Sequence, residues 1–236
     1  QKTAYELMPS LVGSEMCIRD RPTCPLDDIT TDNGHPGYAV SVAWSRDPAG
    51  PWERKTILRP SRGLGEAFRV NVDNPAPYIF PDGSALVLVR GWNGRDLYPA
   101  RRDAIGVAYA RHWQGEYTLA DAPALEGLED PFLWRDAATG TFHALFHGMR
   151  PGATPEEQRE WAGRHAFSRD GFDWRLSPGA AYNSTTYAAA GPRPNKRRER
   201  PHLLFRAGRP AYLFTGVVPL GAGDKAFTHV QRLHAG

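Results

Sequence analysis

Long apolar runs are missing from this chain: the longest, such as Ala85 to Val89, are of strand length, far short of the roughly 18 residues a membrane-spanning helix requires. Cysteine is nearly missing too. Cys17 and Cys24 lie close together near the N-terminus, without His or Cys partners at zinc-ligand spacing, and the rest of the chain has none to cross-link it. No Gly-rich stretch lies between a strand and a helix, so a phosphate loop, a dinucleotide fingerprint and a serine nucleophile elbow are all excluded. Trp-Asp endings of the WD-repeat kind are absent as well. Charge of one sign is scarce: the net charge is +3, and its excess comes from the run Arg193 to Arg200. That run reads as a solvated basic loop, so neither a nucleic-acid partner nor a membrane is expected, and no cofactor. What remains is 236 residues, 41% hydrophobic and 23% charged, with 24 glycines and 21 prolines spread evenly, a composition suited to many short strands joined by turns.

What is present is a segment used three times: Asn74-Pro75-Ala76-Pro77-Tyr78-Ile79, Asp130-Pro131-Phe132-Leu133-Trp134 and Arg200-Pro201-His202-Leu203-Leu204-Phe205. Each copy is a polar residue, a proline and an apolar run, then a glycine-containing turn (Pro81-Asp82-Gly83, Ala138-Thr139-Gly140, Ala207-Gly208-Arg209) and a second apolar strand. The pattern predicts hairpins at Tyr78 to Val89, Phe132 to Phe146 and Leu203 to Phe214. The first two copies are followed by a strand, a turn and an aromatic-bearing strand, Ile105 to Leu119 and His165 to Leu176; Tyr38 to Trp52 is an orphan copy of that second element. The spacing suits propeller blades of roughly 40 to 50 residues with loop insertions. The expected fold is therefore all-β, an incomplete propeller of about three to three and a half blades.

Gln1 to Arg21 share neither period nor composition with the repeat and lack the basic start and apolar core of a secretory leader. Ser10 to Arg21 resembles a translated sequencing adapter, so residues 1–21 read as foreign to the domain, which spans 22–236. On that reading the orphan half-unit is the tail of a blade that begins upstream. Asn183-Ser184-Thr185 is a glycosylation sequon and offers slight support for a secreted protein.

The motifs Asn74-Pro75-Ala76-Pro77, Glu129-Asp130-Pro131-Phe132-Leu133-Trp134, Arg164-His165-Ala166-Phe167-Ser168 and Arg198-Glu199-Arg200-Pro201-His202 together resemble a family of five-bladed propeller proteins related to the arabinanase, xylosidase and invertase clan of glycoside hydrolases. The resemblance runs from about Tyr38 to Leu233. It implies a five-bladed fold and a carbohydrate-active function, with carboxylates delivered to a central pocket at the starts of the inner strands. In one reading the protein hydrolyses a glycan, with the missing first blade supplying an acid and residues 22–236 inactive alone; in the alternative it binds a glycan without cleaving it.

By that resemblance Asp130 is a catalytic or orienting carboxylate, although a turn-forming Asp at a strand start is the plain alternative. Strand alternation is expected to send its neighbour Glu129 the opposite way. Glu199, the second catalytic candidate, is expected to be an ionised partner of the flanking Arg198 and Arg200, themselves candidates for substrate binding. Asn74 holds in its repeat the place that Asp130 holds in its own; an amide can bind a sugar hydroxyl but cannot serve acid–base catalysis. His165 is a further channel-lining candidate, or else a hydrogen-bonded structural histidine. His143 and His147 share one face of a strand about 13 Å apart, too far to hold one metal together, and no metal ligand is assigned. Ser168-Arg169-Asp170-Gly171-Phe172-Asp173-Trp174 reads as a structural turn like the Asp-box of sialidase-type propellers.

Overall fold

The computed structural model describes residues 38–47, 49–60, 66–68, 71–92, 103–149, 154–160, 162–188, 191–221 and 225–233. Gln1 to Arg21, expected to have no packed role, lie outside the described residues. The chain divides into two compact units, one up to Pro123 and one from Ala124.

In the first unit, β1 (Val40–Trp44) pairs antiparallel with β2 (Glu53–Leu58), giving the orphan element its own hairpin. A second sheet runs β3 (Asn71–Ile79), β4 (Ala85–Trp92), β5 (Asp103–Ala110) and β6 (Thr118–Leu119) in chain order. The five residues Ala85 to Val89 are fully buried, so β4 is covered on both faces, and the unbroken apolar run replaces the alternation of a half-exposed strand. Val40, Val42, Phe68, Val72, Val87 and Val89 form the core of this unit.

In the second unit, after the two-residue β7 (Leu125–Glu126), the strands β8 (Leu128–Arg135), β9 (Phe142–Gly148), β10 (Gly163–Ser168) and β11 (Trp174–Tyr182) make one four-stranded antiparallel sheet. The strands β12 (Thr185–Ala188), β13 (Gly191–Arg206), β14 (Arg209–Pro219) and β15 (Phe227–Arg232) make another. Leu145, Ala162, Tyr182, Leu203 and Leu213 pack between them, flanked by Phe132, Trp134 and Phe205. Tyr182 covers Gly163, where any side chain would run into its ring. Gly163→Ala should therefore cost about 2 kcal/mol by overpacking, read from the shift of a denaturant midpoint at constant slope.

The three hairpins expected from the repeat are β3–β4, β8–β9 and β13–β14, in three separate sheets. Gly83, Gly140 and Gly208 supply a left-handed residue in the three turns, with φ of 86, 71 and 75°. The Asp-box-like segment is the tight β10–β11 turn: Asp170 accepts from the Phe172 and Asp173 amides at 2.8 and 2.9 Å, and Trp174 Nε1 donates to the Gly171 carbonyl.

One expectation needs correction. The run Arg193 to Arg200 is not a loop but the first half of β13, where the side chains alternate enough to bury Arg198 while Arg193, Arg197 and Arg200 stay exposed. A short helix, α1 (Pro155–Glu160), also interrupts the strands. Its cause is local: Thr154 and Glu157 form a capping box, with Glu157 N donating to Thr154 Oγ1 at 3.2 Å and Thr154 N donating to Glu157 Oε2 at 2.8 Å, and Pro155 opens the first turn. No helix among the described residues is long and apolar enough to cross a membrane.

Candidate functional site

The repeated polar-Pro pair has a repeated geometry. Asn74, Asp130 and Arg200 all adopt the left-handed backbone, with φ of 46, 52 and 56°. Each lies inside a register shift, Asp73 to Ala76, Glu129 to Phe132 and Glu199 to His202, that takes it and the following proline out of the ladder. Proline has no N–H to give the ladder, and a bulge is where a strand tolerates it. The preceding residue then carries strain of order 1–3 kcal/mol, which clusters at functional positions.

The residue before each bulge is acidic, and its cross-strand partner differs from copy to copy. Asp73 faces Arg90, Glu129 faces His147 and Glu199 faces Gly216. In the first unit the pairing is closed: Arg90 contacts Asp73 at 3.2 Å and Asp103 at 2.6 Å, Asn71 donates to Asp73 at 2.6 Å, and all four side chains are buried. In the second copy His147, also buried, lies 2.9 Å from Glu129 through Nδ1. In the third copy a glycine leaves Glu199 without a cross-strand cation. Its ion pair is with Arg197 instead, at 3.6 Å, two residues away on the same face of β13.

The second and third copies meet within the second unit. Ligand-type atoms of Glu129, His147 and Glu199 all lie within 4.8 Å of one another, near enough for one cation to be held between them. The shortest contact is the Glu129–His147 hydrogen bond, so the group reads as a proton-sharing cluster. Asp130 belongs to it. Its carboxyl is pushed up to about 7, first by burial and then by Glu129, against the opposing pull of His147 and Arg200. The expectation that Glu129 and Asp130 face opposite ways is therefore corrected, because alternation holds only along a regular strand and Asp130 sits in a left-handed bulge. Burial alone pulls the His147 imidazole down, but the Glu129 hydrogen bond and the charges of Glu129, Asp130 and Glu199 outweigh it and raise it.

The remaining candidates are placed as follows. Arg200 Nε lies 3.9 Å from Asp130, with its side chain 63% exposed. Arg198 is buried and committed to the protein: it donates to Thr215 Oγ1, the Asn183 and Thr185 carbonyls and Gln231 Oε1, and its guanidinium lies over the Tyr182 ring at 4.9 Å. Glu199 is thus not clamped between Arg198 and Arg200, because alternation along β13 turns Arg198 to the packed side. His165 is bonded within the protein, Nε2 to His143 at 3.1 Å and Nδ1 to Ser177 Oγ at 2.8 Å, beside Trp134. The two same-face histidines of β9 accordingly serve different groups, His143 with His165 and His147 with Glu129. Asn74 belongs to the first unit.

Sequence reasoning missed His147 and Tyr182 as members of the site. The signal for His147 was its register opposite Glu129, legible once the β8–β9 turn is fixed. Tyr182 feels the charges of Arg198, Asp130 and Glu199, and its buried hydroxyl has no hydrogen-bond partner among the described residues.

No protein-family model matches the sequence. No curated protein matches it either. Solved structures do. A thermostable family-43 glycoside hydrolase is 14% identical, with a TM-score of 0.56 over 87% of this chain and 65% of its own. A GH43_1 enzyme from Xanthomonas citri, solved with xylotriose, is 16% identical, with a TM-score of 0.59 over 86% of this chain and 64% of its own. A family 117 glycoside hydrolase from the marine bacterium Zobellia galactanivorans is 13% identical, with a TM-score of 0.51 over 82% of this chain and 51% of its own. This chain therefore has the fold of β-propeller glycoside hydrolases, its sheets being blades, and spans about two thirds or less of the length of these three structures.

Proposed function

We propose that this protein is a carbohydrate-active, five-bladed propeller that hydrolyses a glycosidic bond with carboxylates of the Asp130–Glu199 cluster. The observation that carries the reading is the meeting of acidic residues from two successive repeats, Glu129–Asp130 and Glu199, around one buried histidine. The resemblance of the repeat to the arabinanase and xylosidase clan, and the sugar-bound Xanthomonas citri structures with xylotriose and xylose, point the same way. Glycoside hydrolysis needs one carboxyl that carries a proton to the leaving oxygen and one that is ionised toward the anomeric centre. Asp130, raised to about 7 by burial and by Glu129, suits the first role, and Glu199, brought by the next repeat to within 4.8 Å of Glu129 and His147, takes the second. His147 and Glu129 act as positioning residues that set the charge around Asp130.

Catalysis by a protonated Asp130 makes turnover fall as pH rises through about 7, tenfold for each further unit. Release of reducing ends from arabinan, xylan and galactan oligosaccharides, followed from pH 5 to 9, tests the proposal. Turnover that is flat across this range takes the catalytic proton away from Asp130, and turnover absent with every glycan that binds leaves the second reading. That reading is a glycan-binding propeller, favoured by Asn74, an amide with the backbone geometry of Asp130 where a third carboxylate could stand.

Gly216 supplies a separate check. A Cβ there would meet only ordinary contacts, 3.7 Å from the Glu199 carbonyl and 3.9 Å from its side chain. Gly216→His rebuilds across from Glu199 the pairing that His147 gives Glu129. It is expected to lower kcat about tenfold, since a neighbouring cation shifts a carboxylate by one unit or more, while the melting temperature changes little.

A further inference from the structure

We infer that the glycan this site takes is anionic, bearing a carboxylate or sulfate group that Arg197 and Arg200 bind; the inference rests on the reading of the site as glycan-binding. The argument is a contrast between two kinds of arginine in one protein. Arg90 shows how this fold neutralises buried acids: its side chain is 10% exposed, it contacts two carboxylates at 2.6 and 3.2 Å, and it is closed off from solvent. Arg198, equally enclosed, spends its donors on two carbonyls, a hydroxyl and an amide. Arg197 and Arg200 do neither. They stand at 3.6 and 3.9 Å from Glu199 and Asp130, beyond hydrogen-bond length, with side chains 48% and 63% exposed. Exposed pairs of this kind add about 1 kcal/mol or less to a fold. Stability therefore does not account for these two guanidinium groups, one beside Glu199 and one beside Asp130.

What they can do is present planar, five-donor forks to the solvent above the acid cluster, the geometry that recognises carboxylate and sulfate oxygens two at a time. A neutral sugar placed there would leave those donors on water. An anionic substituent instead gives each guanidinium an acceptor, and the positive charge offsets the negative charge of Glu199 and Asp130 beside it. Arg200 gains further rigidity from its place in the β13 bulge beside Pro201, where the backbone is fixed in the left-handed region. The shared chemistry is an anionic ring substituent, whether a uronic acid or a sulfate ester.

Titration calorimetry on the full chain at two salt concentrations tests this, using a glucuronic-acid-bearing xylo-oligosaccharide, a sulfated galacto-oligosaccharide and the neutral counterpart of each. At least one charged sugar should bind about tenfold more tightly than its counterpart, less so at high salt. Arg197→Gln and Arg200→Gln should each remove about tenfold of that preference, the worth of one charge-assisted hydrogen bond, and Arg175→Gln, at an exposed position on β11, should leave it unchanged. Which charged sugar binds distinguishes uronate from sulfate, and either supports the inference. Equal binding of charged and neutral sugars, untouched by both substitutions, overturns it while sparing the glycan reading. Binding of neither overturns both. Equal competition by inorganic polyphosphate shows unspecific polyanion attraction and also overturns it.

Discussion

Asp130→Asn should lower glycan turnover by at least about a hundredfold, the low end for an acid–base group, and should at the same time make the protein more stable at neutral and alkaline pH. The substitution is sterically clean. Asn is among the few residues that accept a left-handed backbone, and Asn74 does so at the matching place with φ of 46° against 52° for Asp130. The stability half follows from linkage. The Asp130 carboxyl is raised from its ordinary value to about 7 by burial and by Glu129, so the folded state holds a proton that the unfolded state releases. The contribution of this group is complete below about pH 4 and is lost as pH rises through about 7. At pH 8 the ionised, buried carboxylate costs on the order of 4 kcal/mol, which the amide does not. Thermal melting of wild type and variant at pH 5 and pH 8 should show a gain that is clearly larger at the higher pH. A variant with full turnover takes the catalytic proton away from Asp130, whatever its stability.

Arg198→Ala should be the most damaging substitution to the fold, costing about 4 kcal/mol, because removing one side of a buried charged network strands the groups it served. The carbonyls of Asn183 and Thr185, Gln231 Oε1 and Thr215 Oγ1 would lose their donor together, and the Tyr182 ring its overlying cation. These partners lie on β12, β14, β15 and the turn between β11 and β12, so the loss should appear as a cooperative destabilisation in denaturant melts. Arg200→Ala, on the same strand but exposed, should change stability by less than about 1 kcal/mol. The pair of variants separates the guanidinium that holds the fold from the one available to a ligand.

The hairpins were legible because a proline, an apolar run and a glycine turn have meanings independent of the rest of the chain. The corrections at Arg193 to Arg200 and at Glu129–Asp130 have a common cause in local rules that only the register decides. Arg193 to Arg200 looks like a solvated run until β14 is laid beside it, and then alternation buries Arg198. Asp130 and Glu129 look like opposite faces until the proline forces a bulge, and then both join one cluster. Thr154-Pro155-Glu156-Glu157 carries the signature of a helix start, a capping-box pattern with proline at the first helical position. His147 could be named only through its partner across the sheet, since nothing in Ala144 to Gly148 distinguishes it from a core histidine. Tyr182 joins the site through packing over Gly163 and under Arg198, relations that no spacing along the chain encodes.

The left-handed residue at each repeat has a consequence for how such a protein can diversify. Because that residue and its proline sit outside the ladder, its side chain is uncoupled from the register that holds the blade together. Duplicated blades can therefore inherit a common scaffold and differ at one permissive socket, carrying an amide, an acid or a guanidinium as Asn74, Asp130 and Arg200 do. New chemistry is acquired by exchanging a single residue and keeping its neighbours, and an engineer choosing where to vary a library on this scaffold would begin at those three positions.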